Sequence, residues 1–470
     1  MKKIQEGSLE APIRHPIEWE GDDFDNPKLL FDELKRVFDI CSGCRRCFNL
    51  CDAFPKLFDL VDETPTGDVN SVDEEKFWEV IDNCYLCDTC FKTKCPYVPP
   101  HEFNIDFPNL MLRAKALKFK NQGATVREKI LSNPERLGSL AGIPVITEAI
   151  NAANSSKLGR VVVEKTLGVE RNAPRPSFHR KATRKKLSHY SKTNQSVKIK
   201  QELPSLFPRE REVQSVTSAF FVDPFENSKP PGVVLFLTCY GNHNNPEIVE
   251  DTIACFEKNN IPIVFASKEK CCGMPKLELG DIKSVEAAKN INIPELHSWA
   301  VDGWKITSPI PSCVLMFKQQ LPSLFPRERE VQAVASAFVD PFDYLYQLSK
   351  DGNLNKDFKS SLGSVFYQVP CHLRVQSIGL KTRDILEMIP DTKVTPMERC
   401  SGHNGTYGVK KEYRQSSVKI GKPVARKMDE FEYDQFTSDC PMSGAQLETL
   451  SSKEINYIHP MTLLRRAYEI

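Results

Sequence analysis

Two dense cysteine clusters near the N-terminus constrain this chain more than any other feature. The first reads "CSGCRRCFNLC" and the second reads "CYLCDTCFKTKCP". Together they hold eight of the sixteen cysteines in a chain of 470 residues. Where thiols stay reduced, such density indicates metal ligands rather than disulfides.

The rest of the sequence favours a reducing compartment. The N-terminal stretch "MKKIQEGSLEAPIRHPIEWEG" lacks the apolar segment of a signal peptide. No run approaches the roughly 18 apolar residues that a membrane span requires. The formal net charge of +1 provides no bulk basic field for nucleic acid. We therefore expect a cytoplasmic protein without a nucleic-acid partner, with peripheral attachment to the inner face of the membrane as an option.

The spacing inside each cluster points to iron–sulfur chemistry. The first cluster has the spacing C-x2-C-x2-C-x3-C, and the second has C-x2-C-x2-C-x4-C followed by Pro96. Three cysteines at this spacing ligate three irons of one cubane, and a fourth, more distant cysteine reaches the other cubane. Structural zinc is the alternative, but zinc sites use two pairs of ligands rather than a triple plus one.

The sequence therefore predicts two 4Fe–4S clusters with crossed ligand sets. The first set is Cys41, Cys44, Cys47 and Cys95. The second set is Cys84, Cys87, Cys90 and Cys51. A proline usually follows the last cysteine of such a motif, and Asp52 stands in its place, which removes no ligand.

Helical periodicity flanks both clusters. The segment "PKLLFDELKRVFDI" places Leu30, Leu34 and Val37 on one face just before Cys41. The segment "FPNLMLRAKALKF" has the same periodicity after the second cluster. The pattern predicts a helical ferredoxin-type domain over residues 1–150.

Residues 151–230 differ in character and are predicted to be a basic linker draped over that domain. The stretch "APRPSFHRKATRKKLSHYSK" is typical of a solvated linker, with binding to anionic lipid or to a partner as the alternative. Residues 203–225 recur almost letter for letter at 321–342. Such near-identity is typical of a recent duplication or a sequence artefact, not of a solenoid. We expect the second copy to be integral, and the first to be redundant, poorly packed or on the surface.

The C-terminal half repeats one plan twice. Short buried-strand patterns such as "GVVLFLTCYGN" and "SVFYQVPCHLR" alternate with helical segments. They predict two α/β units with parallel sheets over residues 231–345 and 346–470, and an overall class of α plus α/β. Ligands gather outside the carboxyl ends of parallel strands. Five cysteines stand where a strand pattern ends, and we expect them to converge: Cys239, Cys271, Cys313, Cys371 and Cys440.

For two further residues the sequence predicts a structural role rather than a role in metal binding. Cys255 stands alone in a helical pattern and is predicted to be a core cysteine, because free cysteine is among the most buried residue types. His459 opens the C-terminal "HPMTLLRRAYEI" and is predicted to cap the fold rather than join a site.

Two ferredoxin-type clusters followed by Cys…Cys-Cys-Gly…Pro-x-Cys resemble the cysteine-rich "CCG" iron–sulfur proteins. These include the C subunit of anaerobic glycerol-3-phosphate dehydrogenase, the iron–sulfur subunit of glycolate oxidase and the D-type subunit of heterodisulfide reductase. The resemblance implies one metal site in each α/β unit. The first would use Cys239, Cys271, Cys272 and Cys313, and the second would use Cys371, Cys400 and Cys440.

The sequence departs from this family at Met316, Ser401 and Ser443, where further cysteines are expected. Three outcomes stay open for the two units. They hold a further iron–sulfur cluster, they hold zinc completed in the second unit by His403 or His372, or the second unit has lost its metal and keeps cysteines for packing.

The resemblance implies an electron-transfer subunit of an oxidoreductase rather than a catalytic chain. No G-x-G-x-x-G fingerprint is present, so we expect flavin chemistry to come from a dehydrogenase partner of the glycerol-3-phosphate or glycolate type. Electrons would pass through the two clusters and a CCG site to quinone, a membrane anchor or another acceptor. The alternatives are a heterodisulfide-type reductase acting at the CCG cluster, an electron donor to a rubrerythrin-like peroxide reductase, and a redox or metal sensor.

Overall fold

The computed structural model describes residues 11–190 and 232–470. A helical region comes first along the chain, and two α/β units follow it, each with its own four-stranded sheet. The first copy of the repeat, residues 203–225, lies outside the described residues. None of the helices in the described ranges is both long enough and apolar enough to cross a membrane.

Helices form the N-terminal region up to residue 190, and both helices predicted beside the cysteine clusters are present. The first extends beyond its prediction through Cys41 to Cys44, and Arg45 ends it in the left-handed conformation at φ 54°. Helix Pro144–Ser155 crosses the boundary expected at residue 150. The α-helices are Pro27–Cys44, Ala53–Asp62, Phe77–Asn83, Phe107–Gln122, Val126–Leu131, Pro134–Ala141, Pro144–Ser155, Lys157–Leu167 and Thr183–Lys186.

The apolar faces of these helices meet in one core. Helix Pro27–Cys44 begins with Pro27 after the cap residue Asn26, whose side chain accepts a hydrogen bond from a backbone N–H of the first turn. Its buried Phe38 packs edge-on against Phe77, with ring centroids 5.1 Å apart, and lies 6.0 Å from Phe107. Three helices distant in sequence are thereby fixed around the cysteine-bearing loops.

The first α/β unit contains a parallel sheet in the order β2-β1-β3-β4. Its strands are β1 (Val233–Leu235), β2 (Ile263–Phe265), β3 (Lys305–Thr307) and β4 (Phe338–Val339). Its α-helices are Thr238–His243, Pro246–Lys258, Met274–Leu279, Ile282–Val301, Pro311–Leu315, Leu321–Leu324, Arg329–Ala337 and Pro341–Lys350.

The second unit has the same topology, with a parallel sheet in the order β6-β5-β7-β8. Its strands are β5 (Gly363–Gln368), β6 (Thr392–Met397), β7 (Gln435–Thr437) and β8 (Tyr457–Ile458). Its α-helices are Cys371–Arg374, Lys381–Leu386, Arg414–Glu430, Pro441–Leu450 and Pro460–Tyr468. The predicted repetition of one α/β plan with parallel sheets is confirmed.

Several strands are shorter than their sequence patterns predict. Strand β1 ends at Leu235, and Cys239 lies on the short helix that follows. Strand β3 ends at Thr307, so Cys313 belongs to helix Pro311–Leu315. The cysteines therefore stand on loops and helix starts beyond the carboxyl edges, and the prediction that strands end at these cysteines is wrong by several residues.

The second copy of the repeat is integral, as predicted. It supplies helix Arg329–Ala337, the edge strand β4 and the start of helix Pro341–Lys350. Its Val331 and Val334 are fully buried, and Phe342 is 1% exposed. This segment thus completes the first sheet.

The described part of the basic linker contacts both the helical region, where Arg180 pairs with Glu148, and the first α/β unit, and its placement over the first domain stays a prediction. Lys186 Nζ lies 2.6 Å from Glu250, and the Tyr190 hydroxyl donates to Glu257 at 2.6 Å. Both acceptors belong to helix Pro246–Lys258, whose acidic side chains attract the basic run. The Thr183 hydroxyl adds a 2.7 Å hydrogen bond to a backbone carbonyl of the same unit.

The two residues given structural roles behave as predicted. Cys255 is fully buried, and its thiol donates to the carbonyl of Met461 at 3.5 Å. His459 caps helix Pro460–Tyr468 by accepting the Met461 N–H at 3.2 Å.

A buried ion pair joins the N-terminal segment to the helical region and, through Asp88, to the first α/β unit. The Arg14 guanidinium donates to Asp88 at 2.7 and 2.8 Å and to Asp106 at 2.9 and 3.1 Å. The Asp88 side chain is 2% exposed and also accepts from Gln320 of the first α/β unit at 2.6 Å. Burial alone would raise the pKa of Asp88, but the charge and hydrogen bonds of Arg14 hold it below its ordinary value.

We expect Arg14→Met to lower the free energy of unfolding by roughly 3–5 kcal/mol at neutral pH, because it leaves a buried carboxylate without its partner. Equilibrium urea unfolding measures this. The lowered pKa of Asp88 stabilises the fold above the ordinary carboxyl pKa, and this stabilisation fades as pH falls through the folded-state value. The deficit of the variant should therefore shrink in acid.

The control is Lys427→Met, which breaks a pair with Glu430 whose side chains are 51% and 48% exposed. This variant should lose less than about 1 kcal/mol. Equal losses in the two variants would contradict the structural role of Arg14.

Candidate metal centres

The structure brings the first predicted ligand set together around one cavity. A small cavity of about 20 Å³ is lined by Cys41, Cys44, Cys47 and Cys95. The rest of its wall is mostly apolar and includes Phe54, Phe58 and Ile105. Cys95 is distant in sequence and reaches this wall because the loop carrying the second cysteine cluster folds back against the helix Pro27–Cys44.

The electrostatics of this group suit a bound cation. Burial raises the pKa of Cys41 well above its ordinary value, and the thiols of Cys95, Cys47 and Cys44 raise it further. Burial, followed by the charges of Cys95 and Cys44, raises the pKa of Cys47 to about 12. Four thiolates cannot share an apolar wall without positive charge between them. The irons of a cubane supply that charge, so the donor set fits such a cluster.

The second predicted ligand set is more deeply buried than the first. Burial raises the pKa of Cys51 well above its ordinary value, followed by the nearby thiols of Cys84 and Cys87. Cys51 thus lies near Cys84 and Cys87, and the crossed ligand set stays a prediction. Cys90 stands between the two groups, because after burial both Cys47 and Cys87 raise its pKa.

No three or more His, Cys, Asp or Glu side chains in residues 11–190 and 232–470 are arranged to hold a single metal ion. A zinc ion binds sulfur at about 2.3 Å, so its ligands almost touch one another. Cysteines that bind a four-iron cluster stand farther apart, because each binds a different iron. Both the zinc option with His403 or His372 and the cluster assignments therefore stay predictions.

In the first α/β unit the structure brings all four predicted cysteines together. The Cys313 thiol lies 3.3 Å from the sulfur of Cys272. Cys271 accepts hydrogen bonds from Cys239 and then from Cys272, and these bonds hold its pKa below the ordinary thiol value. The network therefore favours a thiolate at Cys271. A set of soft sulfur donors of this kind suits zinc or an iron–sulfur centre.

The fifth position of the first unit is closed by packing. Met316 is fully buried, and its methyl group lies 3.5 Å from the position of a Cβ on Gly273. Gly273 has φ +98°, a conformation that L side chains rarely adopt. A thioether thus occupies the place of the missing cysteine.

In the second unit, the three predicted cysteines are neighbours of one another and of the helical region. Burial raises the pKa of Cys371 well above its ordinary value, followed by the thiols of Cys400, Cys87 and Cys440. Burial, and then Cys400, raises the pKa of Cys87 to about 12. The second predicted cluster and the second unit therefore face each other.

Burial raises the pKa of the Cys400 thiol above its ordinary value, and hydrogen bonds with neighbouring polar groups offset part of this rise. The Cys400 sulfur accepts the N–H of Gly402 at 3.3 Å and lies 3.2 Å from the Asn404 amide oxygen. The amide nitrogen of Asn404 is buried and has no hydrogen-bond partner in the described part of the chain.

The two positions that lack cysteine in the second unit meet each other. The hydroxyls of Ser401 and Ser443 lie 2.6 Å apart, and these residues are 3% and 6% exposed. The fold therefore keeps the geometry of a paired site but fills it with two hydroxyls, which are poor iron ligands compared with thiolates.

The histidines of this unit are neutral at physiological pH. Burial lowers the pKa of His403 and of His372 to about 4. The Nδ1 atom of His403 is buried and has no hydrogen-bond partner among the described residues. The negative charge of Asp88 raises the pKa of His372, which offsets only part of the effect of burial.

Sequence reasoning missed Tyr85 as a residue of the site. Its hydroxyl lies 3.8 Å from the Cys400 sulfur, and its side chain is buried between the two regions. Burial raises the pKa of Tyr85 well above its ordinary value, and then the thiols of Cys400 and Cys87 raise it further. A buried aromatic with a polar tip, placed directly after a predicted ligand in "CYLC", was the available signal.

The sequence analysis also did not identify Glu269, which lies two residues before the Cys-Cys pair in "KEKCC". Its carboxylate accepts the backbone N–H groups of Leu237 at 3.0 Å and Thr238 at 2.6 Å and pairs with Arg184. Burial raises the pKa of Glu269 to about 7. This side chain fixes the loop that carries Cys239.

Residues 233–318 and 365–448 each match the family model described as "Cysteine-rich domain" with the short name CCG. The two matches contain all seven cysteines predicted to bind metal in the α/β units. Each match covers three of the four strands of its sheet and ends before the edge strand β4 or β8, so the repeated motif lies within the repeated fold.

Several curated proteins are similar to this chain over part of its length. The C subunit of anaerobic glycerol-3-phosphate dehydrogenase from Escherichia coli is 27% identical over 237 residues, which are 50% of this chain and 59% of the relative. Lactate utilization protein A of Bacillus pumilus is 28% identical over 184 residues, 38% of this chain and 75% of the relative. The B subunit of fumarate reductase (CoM/CoB) from Methanothermobacter marburgensis is 23% identical over 257 residues, 53% of this chain and 49% of the relative.

We expect Ser401→Ala to lower the free energy of unfolding by about 1–3 kcal/mol, because the Ser443 hydroxyl loses its buried partner. The matched control is Ser71→Ala, which breaks an exposed hydroxyl pair with Thr66 at 2.7 Å and should change stability by less than about 0.5 kcal/mol. Urea unfolding of both variants measures the difference. A Ser401→Ala variant as stable as the control would mean that the hydroxyl pair contributes nothing.

Proposed function

Because the chain contains two copies of the CCG cysteine-rich domain, we propose that it is the iron–sulfur electron-transfer subunit of an oxidoreductase. The observation that carries the proposal is the grouping of Cys41, Cys44, Cys47 and Cys95 around one largely apolar cavity. Soluble proteins bury four thiols in this way to hold a metal cluster, since an unpaired thiolate group in an apolar wall is costly.

Two 4Fe–4S clusters bound by the crossed ligand sets would supply one-electron transfer. The role of the protein is to bind these clusters and to keep water away from them. The rings of Phe54 and Phe58 line the first cavity and exclude water from it. The Arg14–Asp88 pair fixes the loop that carries Cys87 and Cys90. Both features keep the ligands in place while the charge of the site changes.

We infer that electrons pass between the second N-terminal ligand set and the second α/β unit. Cys87 lies close enough to Cys400 and Cys371 for the thiols to raise one another's pKa. Asp52, next to Cys51, accepts a 2.5 Å hydrogen bond from Ser416 of the same unit. Short separations of this kind favour transfer within one chain over transfer through solvent.

The partner in this proposal is a flavin-containing dehydrogenase, and the acceptor is quinone or another carrier. Two of the relatives are by name subunits of a dehydrogenase and of a reductase, which supports a role inside a complex. The alignment covers 59% of the first of them, so the substrate is proposed only as a class, a small hydroxylated metabolite oxidised by the partner.

A second candidate function is reduction of a disulfide at the first unit. Cys239 and Cys271 open onto a cavity of about 350 Å³ whose wall includes Lys185 and the ion pairs Arg184–Glu269 and Lys270–Glu135. A dithiol facing a polar cavity of this size can receive a small disulfide, whereas a pure electron carrier needs no such space. Turnover of a disulfide by the isolated chain with a chemical reductant favours this candidate, and co-purification of a flavoprotein favours the first.

We expect protein purified without oxygen to carry about eight irons from the N-terminal sets, and Cys44→Ser to lose about half of them together with one of two EPR signals. The matched control is Cys255→Ser, which changes a buried cysteine outside the sites and should keep full iron content. Iron analysis and EPR of the reduced protein measure both. Unchanged iron in Cys44→Ser would reject the assignment of the first ligand set.

A separate variant tests the α/β units. We expect Cys272→Ala to lower iron content without changing the two N-terminal EPR signals, because the thiol lies 3.3 Å from Cys313 and far along the chain from the N-terminal clusters. If iron content and all signals match the unaltered protein, the first unit holds no iron. Zinc and flavin assays on the same preparations identify any other metal and any partner that co-purifies.

A further inference from the structure

Tyr85 lies where the helical region meets the second α/β unit, and it belongs to neither predicted ligand set. It follows Cys84 directly in the chain and is 6% exposed. Its side chain crosses from the second N-terminal cysteine group to the loop of Cys400, two positions separated by 315 residues.

The hydroxyl of Tyr85 is placed to donate to sulfur. It lies 3.8 Å from the Cys400 sulfur, within the range of a long O–H···S hydrogen bond. The Cys400 thiol has an acceptor of its own in the Asn404 amide oxygen at 3.2 Å. With the Gly402 N–H already directed at it from 3.3 Å, the sulfur is the acceptor of the Tyr85 bond.

The ring of Tyr85 is held in this position by other aromatic side chains. Its centroid lies 5.3 Å from that of Tyr407, which stacks on Tyr413 at 4.6 Å. The Tyr407 hydroxyl donates to the buried amide oxygen of Asn83 at 2.8 Å. Tyr85 therefore loses little conformational entropy on contacting Cys400, because its neighbours already fix its rotamer.

We propose that Tyr85 is a positioning residue that sets the reduction potential of a redox centre held by the second α/β unit. The inference rests on the proposed function, because it needs a centre bound by Cys371, Cys400 and Cys440. Adding an electron increases the negative charge on the cysteine sulfurs. A hydrogen bond to one of those sulfurs therefore stabilises the reduced state more than the oxidised state and raises the potential.

The matched pair of variants is Tyr85→Phe and Tyr407→Phe. Each removes one buried hydroxyl from the same aromatic group and keeps the ring, but only Tyr85 contacts a cysteine sulfur. The measurement is a potentiometric titration of the full chain, prepared without oxygen and followed by EPR. Loss of a signal in Cys400→Ala identifies the centre of the second unit.

We expect Tyr85→Phe to keep the iron content and to shift the potential of the second-unit centre to a more negative value. The potential of the cluster bound by Cys41, Cys44, Cys47 and Cys95 should not move. In Tyr407→Phe the second-unit potential should stay at its original value, because this hydroxyl bonds to Asn83 rather than to sulfur.

The outcomes separate this inference from the proposed function. If the Cys400-dependent signal is present and Tyr85→Phe does not shift it, the role of Tyr85 is overturned and the electron-transfer function stands. Equal shifts in both tyrosine variants would also overturn it, because they would reflect packing alone. If Cys400→Ala removes no signal, the second unit holds no centre, and both this inference and the proposed path through that unit fail.

Discussion

The mutual repulsion of buried thiolates is the constraint on which the rest of this structure depends. In the N-terminal groups, burial and neighbouring sulfurs act together to keep the pKa of Cys41 and Cys51 far above its ordinary value. Without cations such groups stay protonated, and with iron between them they become ligands. In the first α/β unit the sulfurs share protons instead, so that Cys271 carries the charge and its neighbours donate. The cysteine groups therefore differ in how they limit buried negative charge: the N-terminal groups stay protonated unless cations are bound, and the first α/β unit shares protons between its sulfurs.

The loops that carry the second N-terminal ligand set also hold the molecule together. Residues directly beside three of its cysteines make the contacts: Tyr85 reaches Cys400, Asp88 binds Arg14 and Gln320, and Asp52 accepts from Ser416. Both α/β units are thus attached to the same short stretches of chain. A change in these loops therefore alters contacts with both units, and a cluster bound there would couple its own binding to the stability of the fold.

The sequence predicted what local spacing and strand ends determine. The triples in "CSGCRRC" and "CYLCDTC" define their groups within a few residues, and the carboxyl ends of parallel strands bring distant cysteines to one edge. The short strands β4 and β8 were not predicted, because two residues each are too few to show an alternating pattern of apolar and polar side chains. Contacts such as Arg14–Asp88 and Tyr85–Cys400 span 74 and 315 residues, and no local pattern encodes a pairing at that separation.

One glycine gives the second unit a further property. Gly402 has φ +80°, and a Cβ there would collide with the carbonyl oxygen of Ser417, so helix Arg414–Glu430 lies directly against the loop. The Ser417 hydroxyl donates to the carbonyl of Gly402 at 2.7 Å, and Gln446 donates to that same hydroxyl at 3.2 Å. Cys400 therefore sits on a loop clamped to a helix. Electron exchange is fastest where the surroundings rearrange least between oxidation states, and in the proposed function a clamped loop of this kind would keep the reorganisation energy of the site low.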